Sequence, residues 1–222
     1  MTPALPADFL AEIERCAYAY LTSPDPIRQS GFGGGSQRWR EKREPILNGI
    51  THSGPLLDIG CANGHLLDCL AAWGSERNLA LEPFGVDYSD KLIALAQDRL
   101  PQWRDRFFVG NAWDWTPPTT FDFVYSLYGN VPANFLAEYI QRLLDCCVGP
   151  QGRLIIGAYG SRTRNVPAFD VSDFLKAEGF VVSGSVDVGP VPEARFAWVD
   201  EARYSSLRLM NPPPPALNPH FS

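Results

Sequence analysis

A run of small residues follows an acidic residue at positions 58–65, which read DIGCANGH. Small residues let the backbone approach a ligand closely, because few side-chain atoms stand between the two. The apolar residues Leu66, Leu70 and Trp73 then recur at the spacing of a helix face, which predicts a helix directly after this run. The N-terminus of a helix presents free N–H groups that can bind an anionic group. Positions 58–65 therefore predict a ligand-binding loop.

The spacing of the small residues separates two kinds of nucleotide-binding loop. A dinucleotide-binding loop needs small residues at offsets 0, 2 and 5, which here fall on Gly60, Ala62 and His65. An imidazole at the third of these positions would prevent the close packing of helix against strand that such a loop requires. The sequence therefore argues against a nicotinamide dinucleotide. Offsets 0, 2 and 4, on Gly60, Ala62 and Gly64, carry only small side chains.

Short apolar runs alternate with helix-like periodicity from residue 54 onward, and this alternation predicts the elements that hold the loop. Strands are predicted at 55–60, 84–87, 106–109, 121–126, 152–157, 180–188 and 195–199, and helices at 66–73, 89–100, 136–147 and 171–175. Strands alternating with helices predict a mostly parallel sheet that is covered on both faces. A turn containing proline joins the last two strands, so they should pair antiparallel.

The predicted fold class is therefore α/β, with a doubly wound, seven-stranded, mostly parallel sheet, helices on both faces and a reversed last strand. In such sheets a ligand binds at the carboxyl ends of the strands, beside the first strand, where the strand order reverses. The loop at positions 58–65 falls at that place. Two further helical segments, at 5–21 and 36–49, precede the first strand and are expected to cover the edge of the sheet or its binding face.

Three later segments follow the loop in an order typical of one family. The second strand ends in GVDYS at 85–89, the third ends in VGNAW at 109–113, and the fourth, FDFVYS at 121–126, precedes the turn GPQGRL at 149–154. With the small residues at offsets 0, 2 and 4, this series resembles the class I S-adenosylmethionine-dependent methyltransferases. The resemblance covers residues 54–188. Two positions depart from the family pattern, since Ala62 replaces a glycine and Asn111 an aspartate.

The resemblance implies S-adenosylmethionine as cofactor, with S-adenosylhomocysteine as its product, and assigns roles to individual residues. Asp87 would accept hydrogen bonds from the ribose hydroxyls, Tyr88 would flank the adenine, and the amide oxygen of Asn111 would accept from the adenine amino group. Tyr128 and Asn130, after the fourth strand, are the candidates for positioning the methyl acceptor. The residues expected to contact the cofactor are Asp58, Gly60, Cys61, Ala62, Asn63, Gly64, His65, Asp87, Tyr88, Asn111, Ala112, Trp113 and Ser126.

Several roles stay open on sequence alone. Asp58 either contacts the ammonium of the methionine moiety or orders the N–H groups of the loop. His65 is expected to pack beside the methionine moiety rather than to act as a base, because the helix N-terminus disfavours its protonated form. Trp113 and Trp115 are either pocket walls or core residues. The basic residues of the segment 38–43 alternate with glutamates, which predicts a solvated helix face.

The composition excludes several other classes of protein. The chain has 19 Lys plus Arg and 25 Asp plus Glu, a net charge of −6, and offers no basic stripe for nucleic acid. No apolar run reaches the ~20 residues of a membrane helix, and no signal peptide is evident. The five cysteines form no CxxC pair, which favours a reducing, cytoplasmic location. Three histidines are too few for a His-built metal site, and no metal is expected.

The chain divides on these grounds into a helical cap or lid at 1–50, a cofactor-binding methyltransferase domain at 51–205 and a proline-rich tail at 206–222. The glycine-rich segment 31–35 is expected to be a hinge within the cap. The resulting hypothesis is a methyltransferase that moves a methyl group to a small organic acceptor by direct in-line displacement. The alternatives are a non-catalytic S-adenosylmethionine-binding regulatory protein and a methyltransferase that acts on protein or RNA.

Overall fold

The computed structural model describes residues 4–162, 164–202 and 204 of the chain. Its centre is one seven-stranded sheet with the strand order β3-β2-β1-β4-β5-β7-β6. The strands are β1 (Gly54–Ile59), β2 (Leu81–Asp87), β3 (Phe107–Val109), β4 (Phe121–Leu127), β5 (Val148–Tyr159), β6 (Gly184–Val188) and β7 (Ala194–Asp200). The predicted tail at 206–222 lies outside the described residues.

The pairing of the strands confirms the predicted fold class. Strand β1 pairs in parallel with β2 on one side and with β4 on the other, so Leu57 stands opposite both Phe84 and Val124. The strand order reverses between β1 and β4, which creates the crevice where ligands bind in doubly wound sheets. Strand β7 runs antiparallel to both β5 and β6, and is therefore the one reversed strand of the sheet.

Helices cover both faces of the sheet. Successive side chains of a strand point to opposite faces, so Leu56 and Leu57 of β1 belong to two separate core clusters. Helices α3 (His65–Glu76) and α4 (Asp90–Arg99) pack on the face that buries Leu56, while α5 (Leu136–Cys146) and α6 (Val171–Ala177) pack on the face that buries Leu57. Within the described residues, no helix combines the length and apolar character that crossing a membrane requires.

Strand β5 is longer than predicted, because the segment 149–152 is part of the strand and does not form a separate turn. The irregularity appears instead as a shift in the pairing of β4 with β5 between Phe121 and Phe123. Gly152 permits this, since a Cβ there would lie 2.8 Å from the Phe121 carbonyl oxygen. An irregularity of the strand pairing, with residues 149–152 opposite Asp122, therefore takes the place of the expected turn.

The segment before β1 forms a cap of α1 (Ala7–Leu21), a 3-10 turn at Arg28–Ser30, α2 (Gly35–Arg43) and a second 3-10 helix at Glu44–Gly49. The predicted helix at 36–49 is divided at Arg43, because Pro45 lacks the backbone N–H that a continued α-helix would need there.

The prediction of a solvated basic face on α2 is wrong at two positions. Lys42 and Arg43 are only 7% and 5% exposed. Lys42 reaches Glu193, 2.6 Å away between β6 and β7, and Arg43 packs among aromatic rings. Two basic residues of α2 therefore help to hold the cap against the body of the domain.

Candidate functional site

A cavity of about 380 Å³ opens at the carboxyl ends of the central strands, where the strand order reverses. Strands β1, β2 and β4 and the loops that follow them form its floor, and α1 lies across it on the outer side. Of the residues predicted from sequence, those that line the cavity are Gly60, Ala62, Asp87, Tyr88, Asn111, Ala112, Tyr128 and Asn130. Cavities of this size hold small-molecule ligands in other proteins.

Asp87 is the last residue of β2, and two backbone N–H groups donate hydrogen bonds to its carboxylate. The N–H of Ala62 donates to its Oδ2 and the N–H of Ser89 to its Oδ1, each at 2.9 Å. Burial raises the pKa of Asp87, while these two hydrogen bonds oppose the rise. Each carboxylate oxygen can still accept a further hydrogen bond, so the group can bind two neighbouring hydroxyls.

The loop between β1 and α3 depends on left-handed backbone at Gly60, Ala62 and Gly64, whose φ angles are 83°, 47° and 73°. This conformation is uncommon for alanine, and the hydrogen bond from its N–H to Asp87 helps to hold it. At Gly64 a Cβ would lie 3.1–3.3 Å from the side chains of Ala96, Leu100 and Phe107, so a larger residue would push the start of α3 away from α4 and β3. The small residues therefore allow the left-handed backbone of the loop and the close packing at the start of α3.

Asp58 is the most strongly perturbed carboxyl group near the cavity. It lies near the end of β1, only 3% of it is exposed, and no described residue donates a hydrogen bond to its side chain. Burial and the neighbouring charge of Asp87 raise the pKa of Asp58 to about 8. A nearby cation would offset this cost and restore the ionised form. The Asp58 side chain lies behind the cavity wall, outside the lining itself.

Arg43 is a functional candidate that the sequence analysis missed. Its guanidinium carbon lies 3.8 Å from the ring centre of Trp39 and 4.4 Å from those of Phe32 and Tyr159. Its Nη1 atom is buried without a hydrogen-bond partner, and no described carboxylate forms an ion pair with it. A buried guanidinium without a counter-charge is costly, so this position suits the binding of an anion.

A pair of hydrogen-bonded tyrosine hydroxyls lies close enough to both Asp58 and Arg43 to be affected by their charges. The hydroxyls of Tyr125 and Tyr159 lie 3.0 Å apart, and Tyr159 lines the cavity. Burial raises the pKa of both phenols, the Asp58 carboxyl adds to the rise, and the Arg43 guanidinium opposes it. The Asp58 carboxyl and the Arg43 guanidinium therefore act on the same small region at the end of β1.

Asn63 was predicted to contact the cofactor, but the structure uses it to fasten the cap. Its side chain is fully buried and makes four hydrogen bonds. Its Nδ2 donates to the Pro26 carbonyl and to Gln29 Oε1, while its Oδ1 accepts from the Ser30 hydroxyl and from the N–H of His65. The segment 26–30 of the cap is thereby joined to the small-residue loop.

His65 faces away from the cavity, so it does not occupy the place expected beside a methionine moiety. Its ring packs on Trp39 with 5.0 Å between ring centres and 32° between the ring planes, and its Nδ1 is buried without a partner among the described residues. The other predicted contacts outside the lining are Asp58, Cys61, Asn63, Gly64, Trp113 and Ser126. Trp113 is a core residue, 2% exposed, whose ring meets Phe135 edge to face. Ser126 is buried against the Tyr139 hydroxyl at 2.8 Å.

Asn111 and Asn130 both line the cavity, although part of each amide already has a partner. The Oδ1 of Asn111 accepts from the N–H of Trp113 at 2.9 Å, so the oxygen that was expected to serve the adenine is shared with the backbone. The Nδ2 of Asn130 donates to the Ile59 carbonyl at 2.7 Å and to Ser126 Oγ at 3.0 Å. Asn130 therefore joins β1 to β4 and leaves its Oδ1 for a ligand.

Residues 56–149, which run from β1 to the start of β5, match the profile of a family described as a methyltransferase domain. The matched segment contains the small-residue loop, Asp87 and the end of β4. This match, over 94 of the 222 residues, and the seven-stranded fold together indicate a class I S-adenosylmethionine-dependent methyltransferase. S-adenosylmethionine is the cofactor of this family. Comparison with curated protein sequences finds no match.

Solved structures with the same fold include methyltransferases and one enzyme of another kind. The 1,6-didemethyltoxoflavin-N1-methyltransferase of Burkholderia thailandensis is 14% identical, with a TM-score of 0.60 over 90% of this chain and 92% of that one. A SAM-dependent methyltransferase from Aquifex aeolicus is 17% identical, with a TM-score of 0.52 over 86% and 97% of the two chains. The [4+2]-cyclase SpnF is 17% identical, with a TM-score of 0.60 over 86% and 80%. At these identities the likeness concerns the fold.

Proposed function

We propose that this methyltransferase transfers a methyl group to a small organic acceptor bound beneath α1. The observation that carries the proposal is the shape of the cavity. One end holds the Asp87 carboxylate and the small-residue loop, and the other, at the end of β4, is walled by Tyr128 and the N-terminal half of α1. Because a helix lies across this cavity, a small molecule fits it better than a side chain of a folded protein or a base of RNA.

The residues around the first end fit the adenosine part of the cofactor. Asp87 keeps two acceptor positions for the ribose hydroxyls, and Tyr88 and Ala112 supply surface for the adenine. The Nδ2 of Asn111 and the second lone pair of its oxygen are available to the edge of the base. We propose that these residues hold the nucleoside.

The buried carboxyl of Asp58 and the unpaired guanidinium of Arg43 fit the two ends of the methionine moiety. An ammonium beside Asp58 would stabilise its ionised form, and a carboxylate would give the buried Nη1 of Arg43 a partner. We propose these two residues as the binding site of the amino-acid end. Both lie just behind the lining, so the amino-acid end would have to reach past Tyr159.

When bound, the cofactor supplies an electrophilic methyl group. The contribution of the protein is then to hold the acceptor in line with this group and to keep water out. Such alignment accounts for up to about 7–11 kcal/mol of a reaction barrier. Tyr128, whose ring stacks on Phe169 with 4.8 Å between centres, and the free Oδ1 of Asn130 are the proposed positioning groups. The five cysteines are free thiols in the structure, which agrees with the proposed cytoplasmic location.

The test has two stages. The first measures the thermal midpoint with S-adenosylmethionine, S-adenosylhomocysteine or NAD, each added separately. A ligand at a hundred times its dissociation constant adds about 2.7 kcal/mol of stability, which corresponds to a rise of about 5–10 °C for a domain of this size. The adenosyl compounds should raise the midpoint, and NAD should leave it unchanged.

The second stage supplies S-adenosylmethionine with a labelled methyl group and a panel of small acceptors. Label in a small-molecule product would support the proposed acceptor class. Cofactor binding without transfer to any acceptor would favour the non-catalytic alternative. Label in protein or RNA from a cell extract, with none in small molecules, would contradict the proposed acceptor class.

A further inference from the structure

We infer that the acceptor half of the cavity takes an amine or another basic nitrogen compound, which Glu12 positions at the mouth. The inference rests on the proposed function, because it names the class of acceptor that the site beneath α1 would bind. Its observations are the charge of the cavity wall, the aromatic rings that form that wall and the place of Glu12 above the end of β4.

The charged groups of the cavity wall all have the same sign. Glu12 and Asp87 line the cavity, and among the described residues no lysine, arginine or histidine does, although the chain has 19 lysines and arginines. Arg15 pairs with Glu12 and is largely exposed on the surface of α1. Arg43 lies behind the ring of Tyr159. An anionic acceptor would thus meet no counter-charge in the wall, whereas a cation would meet a carboxylate.

Aromatic rings form much of the remaining wall. Phe9 and Tyr128 lie in the acceptor half, whereas Tyr20, Tyr88 and Tyr159 line the part of the cavity that the proposed cofactor would occupy. The faces of such rings attract cations, and this attraction strengthens where water is excluded. A wall that combines aromatic faces with a carboxylate is typical of sites that bind organic ammonium groups, whereas a carboxylate ligand calls for arginine or lysine.

The position of Glu12 on α1 assigns it to the acceptor half. The C-terminal part of the helix packs on the small-residue loop, where Ala17 contacts the cluster of Ala62 and Leu92. The N-terminal part, with Phe9, packs on the core cluster that includes Tyr128. Glu12 lies on the same face as Phe9, one turn further along the helix, and therefore above the end of β4.

Room for an acceptor exists beside Gly129, which follows Tyr128 in the cavity wall. A Cβ at this glycine would meet no atom within 4 Å. The Glu12 side chain is 56% exposed, so the mouth near it is open to solvent. An acceptor bound as an ammonium first loses a proton, which passes through the mouth to solvent and frees the lone pair of its nitrogen. In the transfer step this lone pair forms a bond to the methyl carbon, while the carbon–sulfur bond breaks with its electron pair to sulfur.

The experiment compares three probes of matched shape and different charge: phenethylamine, 2-phenylethanol and 3-phenylpropanoate. Binding of each is measured by calorimetry on the full chain saturated with S-adenosylhomocysteine. The amine should bind at least fivefold more tightly than the alcohol, and the carboxylate should bind most weakly. Glu12→Gln should reduce the affinity for the amine at least fivefold and leave that for the alcohol unchanged. Asp8→Asn, which removes one negative charge from the same helix outside the cavity lining and keeps an oxygen for the Phe9 N–H, is the matched control.

Equal or tighter binding of the carboxylate would overturn the inference, as would an amine preference that survives Glu12→Gln. Absence of amine binding while S-adenosylhomocysteine is bound would overturn it as well. Failure of S-adenosylhomocysteine itself to bind would instead contradict the proposed function. Gly129→Leu should abolish amine binding and preserve S-adenosylhomocysteine binding, because it fills only the acceptor half.

Discussion

The two ends of the proposed cofactor site are built in different ways. At the nucleoside end, Asp87 and the loop around Ala62 lie at strand ends and are held by backbone hydrogen bonds. At the amino-acid end, Arg43 comes from the cap and Asp58 from β1, and neither side chain has a charged partner among the described residues. The nucleoside end is formed by strand ends and the loops that follow them. The amino-acid end also needs Arg43, which is in place only when the cap packs on the sheet.

Because the amino-acid end needs the docked cap, we expect the hydrogen bonds that join the cap to the small-residue loop to contribute strongly to the free energy of unfolding. Asn63→Ala removes four buried hydrogen bonds and leaves Gln29 without one of its partners. We expect a loss of about 3 kcal/mol in the free energy of unfolding, measured by urea denaturation. Limited proteolysis should also cleave the segment 22–34 faster.

The matched control is Asn48→Ala, an exposed asparagine whose side chain hydrogen-bonds Arg77 alone within the described part of the chain. It should change the free energy of unfolding by less than about 0.5 kcal/mol. Equal stability of the two variants would show that the cap does not depend on Asn63.

The pH dependence of binding tests the amino-acid end alone. Asp58 is mostly protonated in the free protein below its pKa of about 8, and only its ionised form pairs with an ammonium. Binding then releases a proton, so the affinity for S-adenosylhomocysteine should increase by up to about tenfold per pH unit between pH 6 and 8. The groups that act on Asp58 or are affected by it are Cys61, Asp87, Tyr125 and Tyr159.

Two controls isolate Asp58 in that experiment, which is read by calorimetry. Asp58→Asn cannot titrate and should remove the pH dependence. Methylthioadenosine lacks the amino-acid end, and its affinity should stay flat across the same range in the native chain. A parallel rise for both ligands would assign the titration to the nucleoside end.

Substitutions at two glycines test how closely the two halves of the cavity are packed. A Cβ at Gly110, in the nucleoside half, would lie 2.4 Å from Cδ1 of Trp115, while one at Gly129 would meet nothing within 4 Å. Gly110→Ala should therefore cost about 2 kcal/mol of stability through overpacking. Gly129→Ala should change it by less than about 0.5 kcal/mol. Thermal unfolding measures both, and similar losses would contradict the description of an open acceptor half.

The sequence predicted what depends on local pattern. Strands with short apolar runs, the reversed β7 and the loop from Gly60 to Gly64 are all visible as periodicity or as small residues at fixed spacing. The division of the cap helix could also have been predicted, since Pro45 stands inside the segment predicted as one helix.

Contacts between distant parts of the chain could not be predicted in this way. Lys42 pairs with Glu193, 151 residues further along, and nothing in the spacing around α2 indicates that partner. The alternation of basic and acidic residues is the same for a solvated helix and for one whose charges reach other elements. Asn63 has a similar ambiguity, because a small polar residue in a ligand loop can face the ligand or, as here, the cap.

The most direct test of the account measures the affinities of S-adenosylhomocysteine and methylthioadenosine for the native chain, Asp87→Ala and Arg43→Met. Asp87→Ala should weaken both ligands at least tenfold, because both contain the ribose, while the exposed Asp90→Ala serves as control and should weaken neither. Arg43→Met should weaken S-adenosylhomocysteine by about tenfold or more and leave methylthioadenosine unchanged, since a charge-assisted hydrogen bond contributes roughly 1.5–3 kcal/mol. Equal effects of Arg43→Met on both ligands, or no effect on either, would contradict the division of the site into two ends.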